Sequence, residues 1–106
     1  MRLSDLTKKT KKIVLELDGE TAEVEYRVHA LTAKLLTDLR NMDDIESVIR
    51  QVESTVARWE LLDEHGKEIP VSKDAILEFD IPMDFLTKVL NLITEDIKRE
   101  KSEKNA

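Results

Sequence analysis

The chain has 106 residues, of which 41% are apolar and 38% charged, with a net charge of −6 and no cysteine. That is the size of one domain with one core, and it excludes a disulfide framework, a thiolate metal site and a cysteine nucleophile. No stretch approaches the ~20 apolar residues of a membrane-spanning helix, and the opening MRLSDLTKKTKK lacks the apolar run of a signal peptide.

Residues 1–12 carry five bases (Arg2, Lys8, Lys9, Lys11, Lys12) against Asp5, and predict a flexible basic arm. The segment KKIVLELDGETAEVEYRV then predicts a β-hairpin, because Asp18-Gly19 suits a type I′ turn with positive φ at both central residues. In that register Ile13 faces Val24, Leu15 faces Ala22, and Lys11 lies beside Tyr26. A slip of one residue would set Leu15 against Glu23 and mix the two faces. A lone hairpin is marginal in water, so helices must cover its apolar face or another strand must extend it.

Thr32 predicts the cap of a helix carrying Leu35, Leu36 and Leu39 on one side. Asp43 with Glu46 has capping-box spacing, and opens a second helix with a stripe of Ile45, Ile49, Val52, Val56 and Trp59. Asp63 and His65-Gly66 supply a turn, and Pro70 forbids an interior helical position. Ser72 caps a short helix over KDAILEF, and Pro82 fits the first turn of a last one. That last helix bears Phe85, Leu86, Val89, Leu90, Ile93 and Ile97 before the polar KREKSEKNA. The reading is a small single α+β domain over residues 13–97, an N-terminal β-hairpin packed with three to four α-helices. A polar tail at 98–106, expected to be disordered, carries +2 and the basic arm carries +4, so the body between them carries −12 and the whole chain −6.

Each familiar catalytic or metal pattern lacks a required part. A calcium loop begun at Asp63 would place His65, Lys67 and Glu68 at positions three, five and six, where oxygen ligands and a Gly are needed. His29 and His65 lie far apart in sequence with no second ligand beside either. The acid pairs Asp43-Asp44 and Asp63-Glu64 are what 23 acids produce without function. No serine sits in a nucleophile elbow, and Gly19 and Gly66 are too few for a phosphate-cradling loop. Tyr26 stands among Glu23, Glu25 and Arg27, a poor platform for bases. The expectation is a non-enzyme with no cofactor and no metal, and with neither specific nucleic-acid binding nor membrane attachment.

Apolar surface remains. Most of it reads as core, but the last helix displays both Phe85-Val89-Ile93 and Leu86-Leu90-Ile97, wide enough to serve a core and a partner together. Trp59 reads first as a core plug and second as an interface anchor at a helix-to-turn junction. The candidate partner-binding residues are therefore Trp59, Leu86, Leu90 and Ile97.

The order of parts resembles the small tail assembly chaperones of long-tailed, siphovirus-like bacteriophages. The likeness is carried by Trp59, the turn Asp63-Glu64-His65-Gly66, Pro70, a short helix with Leu77, Ile81-Pro82 and the final helix, and it spans about residues 13–97. The resemblance implies a non-enzymatic protein of the bacterial host cytoplasm that coats the helical tape measure protein, promotes assembly of tail tube subunits and is absent from the mature virion. It also implies a longer form made by ribosomal frameshifting. A permanent structural tail or connector subunit is the alternative. A small regulator using its basic arm on nucleic acid is a third. Self-association is open, since an exposed hairpin edge permits pairing while Lys and Glu along both strands discourage it.

Overall fold

A computed structural model describes residues 1–104. Its elements run α1 (Leu3–Thr7), β1 (Thr10–Leu17), β2 (Glu20–Arg27), α2 (Ala33–Arg40), α3 (Asp44–Thr55), β3 (Val56–Trp59), α4 (Lys73–Glu78) and α5 (Met83–Lys104). The fold is α+β: a three-stranded antiparallel sheet ordered β1-β2-β3, with helices packed on one side.

The hairpin forms in the register its turn dictates. Asp18 and Gly19 have φ of 54° and 83°, and Ile13 pairs with Val24, Leu15 with Ala22, Lys11 with Tyr26. Residues at odd positions of β1 and even positions of β2 thus share one face, which buries Leu15, Val24 and Tyr26. The opposite face is charged. There Glu23 lies 3.7 Å from Lys12 and 3.8 Å from Arg58, which also pairs with Glu68 at 2.7 Å.

The hairpin is both covered and extended, and the segment that extends it departs from expectation. Val56 and Trp59 do not continue the helix; they belong to β3, which pairs with β2. Trp59 opposes Val24, Arg58 opposes Glu25, and Val56 opposes Tyr26, so one extra residue, Ala57, is accommodated as a bulge. The bulge lets two residues three apart point into one core, which is also what a helix does with that spacing. Val56 and Trp59 are both buried, as the stripe implied, but the backbone carrying them is extended.

Side-chain caps start the helices where the sequence places them. Thr32 Oγ1 accepts from the Leu35 N–H at 3.1 Å, Asp43 Oδ1 from Glu46 N–H at 2.8 Å, and Ser72 Oγ from Ala75 N–H at 3.1 Å. Helix α4 ends in a Schellman motif. Asp80 adopts φ 52°, its N–H donates to the Leu77 carbonyl, and the Ile81 N–H reaches back to the Ile76 carbonyl at 3.1 Å. Ile76 and Ile81, the apolar pair of that motif, are both buried.

Helix α5 packs against α3 and β1, and α2 and α4 each pack on α3. Between β3 and α4 the chain makes a tight hairpin-like loop. Ile69 N–H donates to the Leu61 carbonyl, and Asp63 Oδ1 accepts from the N–H groups of His65 and Lys67. Trp59 holds this loop to the core: its Nε1–H donates to the Ile69 carbonyl at 2.7 Å, and its ring meets Phe85 edge-on, centroids 5.7 Å apart.

Both termini differ from their expected forms. Residues 3–7 of the basic arm form α1, and Lys11 and Lys12 lie inside β1. The polar tail is a helical continuation of α5 as far as Lys104, and residues 105–106 lie outside the described part. Polar residues with good helix propensity extend a helix already nucleated by its packed first half.

Candidate functional site

The four residues singled out from the sequence separate into two pairs. Trp59 and Leu86 are 0% exposed. Sealed in the core, they offer no contact surface, so the interface role expected of Leu86 and the second reading of Trp59 are corrected. The cause for Leu86 is the position of α5. It is covered by α3 and by the sheet, so a broad apolar face is consumed within the domain. Leu90 and Ile97, one turn or more further along, are only half-buried.

Leu90 and Ile97 line a groove of about 340 Å³ where α2 and α5 both lean on α3. Its deepest residues are Leu35 and Ile93, 4% and 3% exposed; Leu39, Leu90 and Ile97 form the walls, and Leu31, 74% exposed, forms a lip. Leu31, Leu35 and Leu39 recur every four residues, so a single edge of α2 and the residue before its cap face the groove. Leu31 precedes the Thr32 cap and escaped notice in the sequence; its spacing to Leu35 and Leu39 was the available signal.

Arg27 and Lys98 place positive charge at the rim. Arg27 is anchored: its Nη1 donates to the carbonyls of Ser54 at 3.2 Å and Val56 at 3.0 Å, the exposed carbonyl end of α3, where a cation is favoured. A larger cleft, about 470 Å³, opens between the hairpin turn and the start of α5, but Asp18, Glu20 and Glu60 line it beside the apolar residues. A smaller share of its lining surface is apolar than in the α2–α5 groove.

One buried polar cluster fixes α5, and with it one wall of the groove. Asp96, 6% exposed, accepts from the Tyr26 hydroxyl at 2.6 Å and from Lys11 Nζ at 2.9 Å, and Lys11 also reaches Glu100 at 2.7 Å. Burial by itself pushes the Asp96 carboxyl up, but the Tyr26 and Lys11 hydrogen bonds and the Lys11 charge outweigh it and hold the group below the ordinary carboxylate range. Burial first, and then the bond to Asp96, push the Tyr26 hydroxyl well above its usual value. The bonds to Glu100 and Asp96 likewise raise Lys11. With Tyr26 fully buried, the cluster works as a clamp between the sheet and α5. Among the described residues, no three of His, Asp or Glu converge in the manner of a metal site.

Compared with known proteins, the chain matches no family profile, no curated protein and no solved structure.

Proposed function

We propose that this protein is a non-enzymatic tail assembly chaperone of a long-tailed bacteriophage, and that the α2–α3–α5 groove holds an amphipathic helical segment of the tape measure protein. The observation that carries the reading is the groove itself, where half-buried Leu90 and Ile97 stand opposite Leu31 and Leu39 over a sealed floor of Leu35 and Ile93. A helix laid into such a groove buries apolar anchors spaced three and four residues apart. The basic rim favours acidic residues flanking those anchors. The charged sheet face keeps the unloaded protein in solution. No helix among the described residues is long and apolar enough to cross a membrane, in keeping with work in the host cytoplasm.

Co-expression with tape measure segments tests this. Leu90→Asp and Ile97→Asp should each weaken the complex by about 2 kcal/mol or more, the scale of a well-packed anchor, while leaving the fold's circular dichroism unchanged. Binding unaffected by both substitutions would remove the groove from consideration. Mass spectrometry of purified virions separates a chaperone, which should be missing, from a permanent tail or connector subunit.

A further inference from the structure

Strand β1 lies at the edge of the sheet, with β2 as its one strand neighbour among the described residues. The two-residue turn makes Leu17 and Glu20 a hydrogen-bonded pair, so odd-numbered residues of β1 direct their backbone groups to β2. The bond from Val28 N–H to the Lys9 carbonyl, at 3.0 Å, continues the same phase. Lys12, Val14 and Glu16 therefore turn their backbone N–H and C=O groups outward, along an open edge. Their side chains stand on the sheet face away from the helices, and Val14 is 63% exposed there.

Edges of this kind are normally blunted by charge, because like charges meet when two copies approach. Here the order Lys12-Val14-Glu16 does the reverse. In an antiparallel pair of β1 strands with Val14 on the two-fold axis, Lys12 of each copy faces Glu16 of the other, and Val14 faces Val14. All three positions are of the outward-bonding phase, so the backbone ladder and the charge pattern agree. On the helix side the same register sets half-buried Ile13 against Leu15 of the second copy. Sliding one strand by two residues puts Lys12 opposite Val14; sliding by four puts Lys12 on Lys12 or Glu16 on Glu16. The complementarity is specific to one register. Lys12 is free to swing toward a partner, since its contact with Glu23 is long at 3.7 Å and its side chain is 61% exposed.

We infer that the protein forms a two-fold dimer through β1, with Lys12–Glu16 pairs flanking a central Val14 pair and a continuous six-stranded sheet. The inference uses residues outside the α2–α5 groove and stands independently of the function proposed above.

Sedimentation of the full chain across a concentration series provides the test. Wild type should dimerise. Lys12→Glu and Glu16→Lys each place two like-charge pairs in the interface and should weaken it roughly tenfold or more. An equimolar mixture of the two variants restores opposite charges at both positions and should recover the dimer, which also proves that each variant is folded. The natural absence of cysteine permits a second measurement. Val14→Cys places two thiols on a hydrogen-bonded pair with Cα atoms about 5.5 Å apart, within disulfide range, and should cross-link on oxidation. Lys12→Cys, about 13 Å from its counterpart at four residues' offset, should not. A wild-type monomer at every concentration, a dimer that survives both charge reversals, a mixture that stays monomeric, or equal cross-linking by both cysteine variants would overturn the inference.

Discussion

Replacing Tyr26 by Phe isolates the clamp between the sheet and α5. The ring is fully buried and Phe fills the same space, so no cavity term arises. What is lost is one hydroxyl that donates to a carboxylate at 2.6 Å. A hydrogen bond to a charged group contributes about 1.5–3 kcal/mol, so a loss of ~2 kcal/mol is expected at neutral pH. For a domain of this size that lowers Tm by roughly 10 °C. Asp96 keeps its bond from Lys11, which limits the damage. The pH dependence identifies the cause. A carboxyl held below its ordinary value of 3.8 adds stability that is present above that value and is lost as pH falls through the depressed folded one. Removing the hydroxyl lets the folded value of Asp96 rise, so the variant's deficit should be greatest near neutrality. In acid it should shrink toward the ~1 kcal/mol of a neutral hydrogen bond. Urea unfolding read by the single tryptophan, Trp59, measures both ends of the range. A deficit that stays constant with pH, or one below ~0.5 kcal/mol at neutrality, would refute the charged-bond account.

Changes at two other positions probe the backbone. Asp80 occupies the left-handed C′ position after α4 at φ 52°, so Asp80→Gly should raise unfolding stability by about 0.5–1 kcal/mol, and Asp80→Val should lower it; urea midpoints decide. Deleting Ala57 removes the bulge that lets Val56 and Trp59 face inward together. One of the two must then turn toward solvent, at a cost of at least ~3 kcal/mol, visible as red-shifted Trp59 emission or as loss of the cooperative transition.

The bulge also explains what sequence reasoning could reach. The hairpin was legible because turn chemistry and alternation are both local and agree on one register. The caps at Thr32, Asp43 and Ser72 were legible for the same reason, each being a side chain bonding a backbone group three residues on. β3 was not. Val56 and Trp59 sit three apart, which satisfies helical periodicity as well as a bulged strand does, and only pairing with β2, some thirty residues away, distinguishes them. The consecutive Ser54, Thr55 and Val56, weak helix formers, were the one local hint. Leu36 and Ile45 followed the apolar period yet are 46% and 61% exposed, because α2 and α3 bury narrower faces than their sequences offer. Within α5 the period showed an apolar face but not its division. Leu86 differs from Leu90 and Ile97 in which flank of α5 its neighbours cover, since Ile93 and Asp96 further along the helix are still buried, and that is tertiary information.

The groove and the β1 edge draw on separate parts of the fold, and this bears on how the two would act together. Groove residues belong to α2, α3, α5 and the segment 27–31, whereas the edge pairing uses Lys12, Val14 and Glu16 on the sheet's outer face. A helix in the groove makes no demand on those three side chains, so loading and dimerisation need not compete. A β1-paired dimer carries two grooves on the helix-covered side of one continuous sheet. A long client that offers several amphipathic segments can then be held at two points at once. The second contact becomes intramolecular, and avidity rises by 10²–10⁴ without any single groove binding tightly. Under the proposed chaperone role, weak individual contacts would suit release of the client to a growing assembly, one groove at a time.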